Sequence, residues 1–89
     1  MQFRYNYEKN AQLLAERGVG FEEIIHAISA GNLLGISDHY NLKKYPNQKI
    51  LYIRISDEVF VVPYVQEQGD QVFLKTLFPS RKAKKLFLI

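Results

Sequence analysis

The pattern of apolar and polar positions predicts two helices near the start of the chain. Residues 6–17 carry apolar side chains at helical spacing, with Asn6 able to cap the first turn and Gly18 able to end the helix in a left-handed conformation. Residues 21–30 repeat the pattern at i, i+3, i+4 and i+7, with Phe21, Ile24, Ile25 and Ile28. Because the connection between them is short and glycine-rich, we expect the helices to pack together as a hairpin.

Alternating and β-branched residues predict strands in the second half of the chain. Short polar breaks separate three of them, at residues 49–55, 59–65 and 71–78, which form an antiparallel meander. Residues 33–36 could add a short strand, and residues 37–48 are predicted to form a long polar loop. Pro63 indicates a bulge or weak pairing in the second meander strand. Ser80 could cap a short helix over residues 81–88.

These elements predict an α+β fold in one domain spanning residues 1–89. We expect an N-terminal helical hairpin packed on one face of a three- to four-stranded antiparallel sheet, followed by a short C-terminal helix. The chain has 89 residues, of which 47% are hydrophobic and 24% charged, as in ordinary globular domains. The opposite face of the sheet would be left open to solvent or to a ligand.

The charges are distributed unevenly along the chain. Residues 1–70 hold seven basic and nine acidic side chains, whereas residues 71–89 hold five basic side chains and no acidic one. This bias favours a polyanionic partner, although a solvated basic tail is the alternative. The chain contains no cysteine, which excludes disulfides and thiolate zinc sites and is typical of the cytoplasm. We expect no signal peptide, membrane span, metal or cofactor.

Alternation along the strands identifies candidate binding residues on the open face. Tyr52 and Arg54 should face away from the helices, with Lys75 and Tyr64 beside them. Cations that neutralise phosphates and rings that stack on bases are typical of RNA-binding surfaces. The alternative is that both tyrosines are half-buried strand residues. His39 could reach a groove from the long loop, whereas His26 should simply be exposed.

Three segments resemble the signature of BrnT-type toxins. Residues 3–9 (FRYNYEK) and 17–23 (RGVGFEE) are similar to its N-terminal motifs, and residues 80–83 (SRKA) are similar to the segment that follows its last strand. The resemblance implies a RelE-like fold and a toxin of a type II toxin–antitoxin pair. It also implies a metal-free ribonuclease that inhibits translation, neutralised by a ribbon-helix-helix antitoxin through which operator DNA is bound.

From the resemblance and the residues together, we expect the 2′-hydroxyl of RNA, either free or on the ribosome, to attack the adjacent phosphate beside fixed cations. The expected catalytic residues are Arg54, Arg81 and Lys75. The expected RNA-binding residues are Lys82, Tyr52, Tyr64, Lys49 and Lys84. The proton acceptor stays open among Tyr52, Tyr64 and His39. Two alternatives remain: a non-catalytic basic module that docks an acidic partner or nucleic acid, and a toxin that blocks a protein target.

Overall fold

Three helices and six strands make up residues 1–88, the part of the chain that the computed structural model describes. The helices are α1 (Tyr7–Arg17), α2 (Phe21–Ser29) and α3 (Arg81–Phe87). The strands are β1 (Gln2–Tyr5), β2 (Leu33–Asp38), β3 (Gln48–Ile55), β4 (Glu58–Gln66), β5 (Gln71–Leu74) and β6 (Phe78–Pro79). The predicted α+β class is confirmed. Ile89, which follows the predicted helix of residues 81–88, lies outside the described residues.

Helix α1 begins and ends where its capping residues predict. The Asn6 side chain accepts a hydrogen bond from the Lys9 N–H at 2.8 Å, and Gly18 ends α1 with a φ of 74°. At the elbow, the Phe21 N–H donates to Asn10 Oδ1 at 2.7 Å. A Cβ on Gly20 would lie 2.5 Å from that same oxygen, so only glycine allows this close approach.

The sheet is mixed, and this corrects the prediction of a purely antiparallel one. The strand order is β1-β5-β4-β3-β2, with β6 also paired to β4. Strand β1 was not predicted, and it pairs in parallel with β5 at one edge. Its apolar residues, Phe3 and Tyr5, alternate over only four residues, and their partners lie almost 70 positions away in sequence.

The predicted last strand is interrupted opposite Pro63. The Lys75 N–H donates to the Pro63 carbonyl at 2.8 Å, so the backbone of Pro63 faces this neighbour. Because proline has no N–H to return a hydrogen bond, pairing stops there and resumes at β6. Leu77, in the interval, is fully buried in the main core.

Helices α1 and α2 cover one face of the sheet, as the sequence predicts. Their buried residues are Leu13, Phe21, Ile24 and Ala27. These pack on side chains of the strands that include Leu51, Ile53, Val62 and Leu74, all 0% exposed. Full burial of a large aliphatic side chain contributes about 1.5–3 kcal/mol, so this layer supplies most of the hydrophobic stabilisation.

The opposite face is not open along its whole length, contrary to the prediction. Helix α3 packs on it through Ala83, which lies among Ile50, Val59 and Val61. Ser80 caps α3 by accepting a hydrogen bond from the Ala83 N–H at 3.1 Å. Only the part of this face beyond α3, toward β5 and the loop between β2 and β3, stays accessible.

Candidate nucleic-acid interface

Two adjoining cavities beside α3 form the candidate site, which we call the aromatic groove. One, of about 350 Å³, lies against α3, and the other, of about 250 Å³, lies against the loop between β2 and β3. The two cavities share Tyr40 and Phe78, so they lie side by side. The side chains that give the groove its chemistry are His39, Tyr40, Tyr45, Tyr52, Lys75, Phe78 and Lys82.

The loop of residues 39–47 holds two tyrosine rings at the groove through a buried histidine. His39 is 4% exposed, and its ring centroid lies 4.3 Å from that of Tyr40 and 4.6 Å from that of Tyr45. Its Nδ1 accepts a hydrogen bond from the Asn41 N–H at 3.0 Å. A loop fixed in this way loses less conformational freedom when a ligand binds.

Tyr40 is the most accessible ring of the groove, with 76% of its surface exposed. The sequence analysis did not single out Tyr40 or Tyr45. A signal was present, because the loop interleaves Tyr40, Lys43, Lys44 and Tyr45. The expectation that His39 reaches a groove is confirmed, although burial and stacking make it a support for the two rings.

Tyr52 forms part of the inner wall beside α3. Its hydroxyl lies 2.9 Å from the Ser37 Oγ, and its ring centroid lies 5.0 Å from that of Phe87. Phe87 in turn lies over Gly35, where a Cβ would come within 3.2 Å of the Phe87 ring. Tyr52 is therefore half-buried beneath α3, with part of its ring facing the groove.

Lysine side chains reach both parts of the groove. Lys75 lines the cavity beside the loop, and its Nζ lies 5.3 Å from the centroid of the Phe73 ring. Lys82 lines the cavity beside α3. The Nζ of Lys44 lies 5.3 Å from the Tyr45 ring centroid. Among the described residues no acidic side chain lines either cavity, so the groove carries net positive charge.

A second groove lies between α2 and the end of β3, and we call it the α2 groove. Its volume is about 590 Å³. Its polar side chains are Glu22, Glu23, His26, Asn32, Arg54 and Ser56. The Arg54 Nε donates to the Ser56 carbonyl at 2.9 Å, which turns the guanidinium toward the end of the strand. Here one arginine faces two carboxylates.

The three expected catalytic cations do not form one cluster. Arg54 lies opposite Val59, whose carbonyl accepts a hydrogen bond from the Ser80 N–H, so Arg54 and Arg81 lie toward the same end of the sheet. The Lys75 N–H donates a hydrogen bond to the Pro63 carbonyl, and Pro63 pairs with Ile50. Ile50 precedes Arg54 by four residues, so Lys75 lies about 13 Å from Arg54 along the direction of β3. The three side chains line three separate cavities.

The other expected RNA-binding residues are distributed over several surfaces. Tyr64 is the clearest correction, because it is 4% exposed and packs in the core beneath α1 and α2. Burial raises its pKa above the usual value. Lys49 pairs with Tyr64 across the strands and shares its face, although Lys49 itself is exposed. Lys84 lies with Arg81 on the outer face of α3.

Two further structural findings concern residues 1–88. No three side chains of His, Asp or Glu within this range are grouped as metal ligands would be. No helix in the same range combines the length and apolar character needed to span a bilayer.

Neither a protein-family model, nor a curated protein, nor a solved structure matches this chain. The resemblance to BrnT-type toxins therefore stays a prediction that rests on residues 3–9, 17–23 and 80–83.

Proposed function

We propose that this protein binds single-stranded RNA in the aromatic groove. The observation that carries the proposal is that two adjoining cavities combine aromatic rings, of which Tyr40 is exposed, with two lysines and no acidic lining residue among residues 1–88. Unpaired bases stack on aromatic side chains while lysines neutralise the phosphates between them. Three residues expected from the sequence, Tyr52, Lys75 and Lys82, contribute to this groove.

The arrangement favours single strands over duplexes. A base can lie against the Tyr40 ring only if its face is free, and in an A-form helix both faces are already stacked. Each base stacked on an aromatic side chain contributes about 1–3 kcal/mol to binding. Within the class that the sequence resembles, such binding would serve a cytoplasmic toxin that inhibits translation and is neutralised by a ribbon-helix-helix antitoxin.

Removing the groove lysines tests the binding proposal. Titration of a labelled single-stranded RNA should show that Lys75→Gln/Lys82→Gln weakens binding about tenfold, because two phosphate contacts are lost. The slope of log affinity against log salt should become shallower by about 1.4 for the same reason. The matched control is Lys9→Gln/Arg17→Gln, which removes two positive charges on α1 outside the groove lining and should change affinity less than about twofold.

Two outcomes would contradict this function. Equal losses in the two double variants would mean that binding depends only on net charge. Equal affinity for a single strand and for its duplex would remove the role assigned to base stacking. Circular dichroism of both variants shows whether each is folded, so that a loss of affinity can be assigned to the removed charges.

The α2 groove favours a second candidate function, which is metal-independent cleavage of RNA. It brings Arg54, expected to be catalytic, together with a carboxylate on Glu23 and an imidazole on His26. In such a reaction a base takes the proton of the 2′-hydroxyl, whose oxygen attacks the adjacent phosphorus. The bond to the 5′-oxygen breaks and an acid protonates that oxygen, which leaves a 2′,3′-cyclic phosphate and a 5′-hydroxyl.

Incubation of RNA with the purified protein in excess EDTA tests this second candidate. Cleavage should yield cyclic-phosphate ends and should fall about 100-fold or more in Arg54→Gln, because that side chain would stabilise the developing charge. Intact RNA in the presence of a folded, RNA-binding protein would reject cleavage of free RNA and leave the binding function in place.

A further inference from the structure

The outer face of α3 forms a basic hollow that neither groove uses. Arg81, Lys84, Lys85 and Leu88 line a cavity of about 350 Å³. These four residues follow the spacing i, i+3, i+4 and i+7, so they form a single stripe along the helix. Three positive charges therefore stand around one aliphatic side chain.

The charges at the start of α3 are arranged unfavourably within the chain itself. Arg81 and Lys82 occupy the first turn, which has no acidic residue, and so lie at the positive end of the helix dipole. Arg81 is also three and four positions from Lys84 and Lys85, where like charges repel. Within residues 1–88, no ion pair involves a side chain of α3. An anionic ligand would relieve both effects.

The one apolar residue of the hollow indicates the chemistry of that ligand. Leu88 lies among the three cations and supplies the apolar part of the lining. Aliphatic side chains do not bind phosphates, and none of the four lining residues offers an aromatic plane for a base. Carboxylates that alternate with leucine-like side chains complement this stripe in both charge and polarity.

We propose that the outer face of α3 docks an acidic, amphipathic peptide segment of a partner protein. Glutamate or aspartate side chains of that segment contact Arg81, Lys84 and Lys85, and an apolar side chain packs on Leu88. Docking on this face is independent of RNA binding, because the hollow and the aromatic groove share no lining residue.

A synthetic peptide serves as the probe. It is labelled with fluorescein and places Glu and Leu at helical spacing on one stripe, and a scrambled peptide has the same composition. The full chain should bind the patterned peptide at least about fivefold more tightly than the scrambled one. Lys84→Gln/Lys85→Gln should weaken binding of the patterned peptide about fivefold, as expected for two exposed ion pairs.

Matched variants separate docking from general charge effects. Lys9→Gln/Arg17→Gln removes the same charge on α1 and should change peptide affinity less than about twofold. Tyr40→Ala alters the aromatic groove and should leave peptide binding unchanged. Thermal unfolding should show that Lys84→Gln/Lys85→Gln is folded at the assay temperature, because relief of the repulsion from Arg81 offsets the loss of two cations at the favourable end of the helix dipole.

Three results would overturn the proposal. Equal affinity for the patterned and scrambled peptides would show that α3 attracts negative charge without recognising a pattern. Equal losses of peptide affinity in the two double variants would also show that α3 attracts negative charge without recognising a pattern. If Lys84→Gln/Lys85→Gln instead weakened RNA binding strongly and left peptide binding unchanged, the outer face of α3 would belong to the RNA site.

Discussion

The aromatic groove and the α2 groove lie on the same small sheet but differ in charge and ring content. The α2 groove is a single cavity of about 590 Å³, and its lining sets two carboxylates against one guanidinium. The cavities of the aromatic groove have about 350 and 250 Å³, and they are lined by tyrosines and lysines without an acid among the described residues. The two grooves therefore have similar volumes, and the charge and ring content of the lining distinguish the one that suits binding of a polyanion.

This difference shows that the charge of each groove depends on which helix begins beside it. The α2 groove includes the start of α2, where Glu22 and Glu23 complement the helix dipole. The aromatic groove includes the start of α3, where Arg81 and Lys82 oppose the dipole. A helix start that carries cations against its own stability is a candidate for a function in binding anions.

The largest expected effect that separates the grooves comes from Tyr40. Tyr40→Ala removes the exposed ring of the aromatic groove and should weaken binding of single-stranded RNA about tenfold, because stacking with a base is lost. The measurement is fluorescence anisotropy of a labelled oligonucleotide. Tyr7→Ala is the control, because Tyr7 is 80% exposed on α1, away from both grooves, and should keep wild-type affinity.

The same RNA-binding assay with Arg54→Gln tests the α2 groove. It removes the guanidinium of the α2 groove and should change RNA affinity less than about twofold. If Arg54→Gln weakened binding more than Tyr40→Ala, the RNA would bind in the α2 groove and the assignment of the two regions would be reversed.

A smaller effect concerns Tyr64, which the sequence predicts on the RNA-binding surface and which the structure shows in the core. Tyr64→Phe should leave RNA affinity unchanged, because the side chain is 4% exposed. Burial raises its pKa, so the folded state favours the neutral hydroxyl. The resulting stability is present below the pKa of the unfolded chain, about 10, and is lost as the pH rises through the folded pKa.

Denaturant unfolding at about pH 9 and about pH 11 measures this effect. The free energy of unfolding should fall less between the two pH values in Tyr64→Phe than in the wild-type chain. An identical fall in both proteins would show that Tyr64 does not resist ionisation in the folded state.

Local signals account for what the sequence predicted correctly. Asn6 and Gly18 define α1 through hydrogen bonds and a backbone angle that depend on neighbouring residues alone. The hairpin of β3 and β4 also follows from local alternation. Strand β1 depends on pairing with β5, which is distant in sequence. The packing of α3 on the sheet depends on the small size of Ala83 and Gly35, and the residues that contact them are known only from the folded structure.

The misplacement of Tyr64 has a simple geometric origin. With strands predicted at 49–55 and 59–65, three residues separate them, and Tyr64 falls opposite Ile50 on the outer face. The structure uses a two-residue turn, with Ser56 at a φ of 56°, so Ile55 pairs with Glu58 and Tyr64 pairs with Lys49. A shift of one residue in register exchanges the faces of every side chain on the strand.

The central claim is tested most directly by nuclear magnetic resonance of the protein with labelled tyrosine side chains, titrated with single-stranded RNA. The chain has six tyrosines, and three of them lie at the aromatic groove: Tyr40, Tyr45 and Tyr52. Their ring signals should shift and the signals of Tyr5, Tyr7 and Tyr64 should stay in place. Binding that left the three groove tyrosines unshifted would contradict the account.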